Sequence, residues 1–135
     1  MPAVTGLLES SLYFDDLDRA ARFYEDLFGF TVMVGNERIR ALRVRPGQVL
    51  LLFKRGASLG EEQIPTHDGS GPLHLAFSIE ESAWEAWQRQ LANRKIPIES
   101  IIQWPQGGCS LYFRDPENHL VELATPGVWP NYRAS

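Results

Sequence analysis

Residues 71–79, Gly-Pro-Leu-His-Leu-Ala-Phe-Ser-Ile, lie without a gap over residues 6–14, Gly-Leu-Leu-Glu-Ser-Ser-Leu-Tyr-Phe. Leu73 falls on Leu8, Phe77 on Leu12 and Ile79 on Phe14. Apolar residues matched at every second position are the signature of a strand with one buried face. The two segments therefore predict twin strands, and a repeat of this kind decides the architecture before any single element does.

Downstream of the first copy, Asp15-Asp16 offers a helix N-cap. Leu17, Ala20, Ala21, Tyr24, Leu27 and Phe28 then keep three- and four-residue spacing until Gly29, which predicts a helix over 17–28. Three strand-like runs follow near 30–35, 38–45 and 48–54, with Gly35-Asn36 and Pro46-Gly47 as turns. The second half repeats this order. Ala83, Trp84, Trp87 and Leu91 mark a helix over about 81–93, and strands follow near 98–104, 109–114 and 118–124. The last strands also pair, residues 47–52 with 118–123.

The expected fold class is α+β: two β-α-β-β-β modules in a single domain over 1–135. Module one covers about 4–54 and module two about 71–124, with a linker over 55–70 and a tail over 125–135. The linker is rich in Gly, Ser and charge and reads as a tether, although such loops can lie across a pocket. Trp129 and Tyr132 in the tail are expected to dock on the domain or on a second subunit, and a homodimer is the expected assembly.

With 135 residues, 44% hydrophobic and 22% charged, the chain can bury one real core. A formal charge of -4 with no basic stripe argues against nucleic acid. The opening residues lack the features of an export signal, and no run approaches the ~20 apolar residues of a membrane span. The expectation is a cytoplasmic protein with no membrane partner. The single cysteine, Cys109, cannot form an internal disulfide.

Three stretches carry a family resemblance: Asp-Leu-Asp-Arg-Ala-Ala-Arg-Phe-Tyr-Glu-Asp-Leu-Phe-Gly-Phe at 16–30, His-Leu-Ala-Phe at 74–77, and Tyr-Phe-Arg-Asp-Pro-Glu-Asn-His-Leu-Val-Glu-Leu at 112–123. They resemble the glyoxalase, bleomycin-resistance and extradiol-dioxygenase (vicinal-oxygen-chelate) superfamily. The resemblance implies paired modules whose strands curl into a cup-shaped mixed sheet, with a divalent metal on the concave face in many members and none in others. In metal-binding relatives the first and last strand of each module can each offer a ligand. Here those positions are Glu9, Leu51, His74 and Glu122. Glu9 and His74 would meet across the centre, and Leu51 leaves one corner without a protein ligand.

Strand alternation places Glu9 with Ser11 and Tyr13, away from Leu8, Leu12 and Phe14, and His74 with Ala76 and Ser78. Glu122 stands between Val121 and Leu123, where an unpaired charge is costly and a metal would neutralise it. One imidazole and two carboxylates suit Zn, Mn, Fe, Co or Ni, and open coordination positions suit catalysis.

The implied function is a metal-dependent lyase, isomerase or dioxygenase acting on a small oxygenated molecule, with Glu9 or Glu122 as general base. The alternative is a metal-free binding or drug-sequestering protein like the bleomycin-resistance relatives. His67 and His119 are expected to be exposed, and Cys109 has no base beside it. Tyr13, Tyr112 and Trp104 are expected to pack, and Arg114-Asp115 to serve a turn.

Overall fold

The computed structural model describes residues 1–60 and 63–133. It divides the chain into two compact units, Met1–Gly71 and Pro72–Ser135.

In the first unit, β1 (Glu9–Phe14) is followed by α1 (Leu17–Phe28), β2 (Thr31–Gly35), β3 (Ile39–Arg45) and β4 (Gln48–Lys54). Their spatial order is β1-β4-β3-β2, with β1 parallel to β4 and the other neighbours antiparallel. α1 occupies the predicted residues. Asp16 caps it by accepting the Arg19 N–H, and Gly29 ends it at φ 74, with its N–H donated to the Glu25 carbonyl. The helix buries Leu17, Ala20, Ala21, Tyr24 and Leu27 on the sheet face that carries Leu12, Phe14, Leu42, Leu50 and Leu52, all buried. Each such side chain removed from water is worth roughly 1.5–3 kcal/mol. Leu8 precedes the first strand residue and remains exposed, against the expectation that it shares the buried face of Leu12 and Phe14.

The second unit has the same plan: β5 (His74–Ser78), α2 (Trp84–Asn93), β6 (Ser100–Gln103), β7 (Cys109–Arg114) and β8 (Leu120–Ala124), in the order β5-β8-β7-β6. The predicted start of the second helix is a 3₁₀ turn, Glu81–Ala83, because no side chain caps the helix that follows. Of its apolar face Leu91 is fully buried, while Trp84 and Trp87 are half-buried. Leu111, Phe113, Val121 and Leu123 complete this core.

The repeat extends to the ladder register. Ser11 pairs with Leu51 in the first unit and Ala76 with Glu122 in the second, and the offsets are the same: 76 − 11 = 65 and 122 − 51 = 71. Position 51 of the first module is thus the structural twin of position 122 in the second. Among the described residues no helix is long and apolar enough to cross a membrane.

Of the stretch expected to be a tether, residues 61 and 62 lie outside the described residues, and the described ones carry local structure. Ala57–Gly60 form a 3₁₀ turn, Asp68 accepts the Gly56 N–H, and Arg55 donates to the Gly69 carbonyl. In the tail Tyr132 donates its hydroxyl to the carbonyls of Ile79 and Ala124, as docking on the domain requires. Trp129 stays 67% exposed.

Candidate metal centre

β5 sets His74 on the face of its sheet opposite the Leu111–Phe113–Val121–Leu123 core. Ala76, two residues on, shares that face and pairs with Glu122, so His74 and Glu122 are diagonal neighbours on one surface. Nδ1 of His74 lies 2.9 Å from the Leu120 carbonyl oxygen. A carbonyl only accepts, so Nδ1 carries the proton and Nε2 is the nitrogen left to bind. Nε2 stands 3.2 Å from Oε1 of Glu122.

Glu122 is only 7% exposed, and both of its oxygens are engaged. Oε2 accepts the Ser110 hydroxyl at 2.5 Å, and Ser110 Oγ in turn accepts the indole N–H of Trp104 at 2.8 Å. Tyr112 pairs with Glu122 across the β7–β8 ladder and its ring lies 6.3 Å from that of His74. Burial first, and then the charge of Glu122, push the Tyr112 phenol above its ordinary value, while its hydrogen bond with Ser110 pulls the other way.

An imidazole nitrogen and a carboxylate oxygen that face each other at this distance need a proton or a cation between them. The backbone anchor on Nδ1 is also the support a metal-ligating histidine needs. The two donors present are of the kinds a divalent cation takes.

Glu9 begins β1 in the other unit and is exposed. It borders a cavity of about 370 Å³ whose walls include Leu51, Phe53, Ile64 and His67. Among the described residues no group of three His, Cys, Asp or Glu side chains is gathered for a metal; His74 and Glu122 stand as a pair.

Two histidines differ from expectation. His119, expected to be exposed, is fully buried and accepts the Leu73 N–H on Nδ1 at 2.9 Å. Its own N–H is bound by Asp115, so the turn at 115–118 folds it inward. His67 is half-buried, with Nδ1 2.7 Å from the Tyr13 hydroxyl. Tyr13 also stacks on Phe53, and burial, followed by the charge of Asp68, raises its phenol. Arg114 and Asp115 are structural as expected. Arg114 bonds Glu99, and Asp115 accepts the N–H groups of Glu117 and His119.

Ser110 and the bonded role of Trp104 escaped sequence reading. A signal was present: Ser110 and Tyr112 alternate on one face of the strand that must pair with the Glu122 strand.

The chain is similar to the metallothiol transferase FosB of Staphylococcus saprophyticus, with 30% identity over 112 residues covering 82% of this chain and 70% of that protein. It is 29% identical to FosB of Shouchella clausii over 124 residues, covering 90% and 81%. The fold superposes on the crystal structure of a lactoylglutathione lyase from Agrobacterium tumefaciens with a TM-score of 0.89 and 30% identity, over 96% of this chain and 99% of that one. The profile of one family matches residues 6–123. The chain therefore belongs to the Glyoxalase/Bleomycin resistance protein/Dioxygenase superfamily.

Proposed function

We propose that this protein is a metal-dependent enzyme acting on a small oxygenated molecule, with one divalent metal held by Glu9, His74 and Glu122. The observation that carries the reading is the 3.2 Å approach of His74 Nε2 to Glu122 Oε1, two acceptor atoms fixed from behind by Leu120 and Ser110. Leu51, the twin of Glu122 in the ladder, cannot ligate and leaves room for substrate.

When bound, the metal polarises a substrate oxygen and makes neighbouring bonds easier to break. The rest falls to the chain. His74 and Glu122 would hold the centre, and Glu9 or Glu122 would move a proton at one of its carboxylate oxygens. The names of the relatives, a metallothiol transferase and a lactoylglutathione lyase, both involve a thiol. A thiol or thiol adduct is accordingly the favoured co-substrate.

The assembly proposed is a homodimer. Val32, Met33 and Val34 on the edge strand β2 are exposed, and an apolar strand edge of this kind is normally covered.

The test is titration of metal-stripped protein with Zn(II), Mn(II), Co(II) and Ni(II), followed by calorimetry and thermal shift. The reading expects one saturable site and stabilisation on binding. Loaded protein is then given glutathione with a 2-oxoaldehyde, and consumption of the adduct is followed. Absence of a saturable site for any of these ions sinks the enzyme reading and favours metal-free ligand binding. Light scattering should return twice the chain mass.

A further inference from the structure

We propose that Ser110 and Trp104 are positioning residues that hold Glu122 as a one-oxygen metal ligand; the inference rests on the metal reading above. An indole N–H can only donate, so the 2.8 Å bond from Trp104 occupies a lone pair of Ser110 Oγ. The single hydroxyl hydrogen of Ser110 is donated to Glu122 Oε2, 2.5 Å away, and the Tyr112 phenol, hydrogen-bonded to both Ser110 and Glu122, stands beside this bond. A bond this short between a hydroxyl and a carboxylate is charge-assisted, and the bond from Trp104 strengthens it further by polarising the hydroxyl.

Ser110 is fully buried, so water does not compete for this carboxylate oxygen. With Oε2 held, Glu122 presents Oε1 alone on the His74 side. Held this way, the carboxylate keeps Oε1 aimed at the place a metal would take beside His74.

The support for Trp104 comes from the hairpin between β6 and β7. The Trp104 N–H is donated to the Gly108 carbonyl and the Gly107 N–H to the Trp104 carbonyl, which fixes the backbone from which the indole projects. Gly108 has φ 77, and a Cβ there would come within 2.6 Å of the Val128 nitrogen, so the turn and the tail require glycine at this point. The relay thus runs from a rigid turn through Trp104 and Ser110 to the carboxylate.

The experiment uses the full chain with Mn(II) as probe. Affinity is measured by titration, and the indole N–H resonance of Trp104 is followed by NMR with and without metal. Ser110→Ala should weaken Mn(II) by about 10–100-fold, the usual cost of losing a group that supports a metal ligand. It should also abolish the metal-induced shift of the Trp104 resonance. Ser110→Thr, which keeps the hydroxyl, should restore both. Trp104→Phe should weaken Mn(II) in the same direction and supplies the test if Ser110→Ala fails to fold. Wild-type affinity in folded Ser110→Ala or, should that variant not fold, in Trp104→Phe would overturn the inference while the metal reading stands. A wild type that binds no Mn(II), Zn(II), Co(II) or Ni(II) removes both.

Discussion

Glu122 Oε1 and His74 Nε2 face each other at 3.2 Å across neighbouring parallel strands. Neither atom is free to turn away. His74 is tied through Nδ1 to the backbone of the strand that carries Glu122, and Glu122 is tied through Oε2 to Ser110. The pair is rigid because each partner is held by the atom it does not present to the other. Such preorganisation is what a metal site asks of its ligands.

His74→Ala should abolish saturable metal binding. His74 is 49% exposed at its side chain, so metal-free protein should stay folded, with a loss of stability limited to the partner that the buried Glu122 gives up. Titration and denaturant melts on one preparation check both halves. A melt that collapses would assign His74 to the core instead.

Glu9→Gln should weaken the metal and slow turnover while leaving the metal-free melt unchanged, since Glu9 is exposed. Turnover at saturating metal is the decisive measurement. A rate restored in full by excess metal would make Glu9 a ligand only and not the proton-transfer group.

His119→Ala should act on stability and not on metal. It removes the acceptor of the Leu73 N–H at a fully buried position. An orphaned donor costs about 1–3 kcal/mol, and the vacated volume adds to that. Chemical denaturation measures the loss, and Mn(II) affinity of the folded fraction should equal that of the wild type.

Tyr13 and Tyr112 should ionise later than their ordinary value of 10.0. Burial leads in both, followed by the charge of Asp68 for Tyr13 and of Glu122 for Tyr112. Their folded values lie above the unfolded ones, so their contribution to stability is complete below about pH 10 and is lost as pH rises through the folded values. Phenolate absorbance in native and denatured protein reads the shift, and melts across the alkaline range read the loss. Native and denatured curves that coincide would refute the assignment.

The elements were legible because their determinants are local. Asp16 and Gly29 bracket α1 as caps whatever the rest of the chain does. The alternation of Glu9, Ser11 and Tyr13 against Leu12 and Phe14 is a property of extended backbone. The second helix starts at Trp84, after a 3₁₀ turn over the predicted first residues, and no side chain caps it there. The exposure of His119 was misjudged for a different reason. Its turn context suggested solvent, but the Asp115 side chain draws the turn closed and delivers the ring to Leu73, 46 residues away.

By itself the amino-acid sequence determined the repeat and the alternation of the strand faces, since period and spacing are written in adjacent residues, while Glu9, His74 and Glu122 were named by the resemblance to the superfamily. Only the tertiary structure decided which atom of each residue is committed and to what. The Nδ1 bond of His74 to Leu120 and the chain from Trp104 through Ser110 to Glu122 join residues on different strands. Such bonds depend on ladder register and side-chain rotamer, which the packed cores set and which no local pattern encodes.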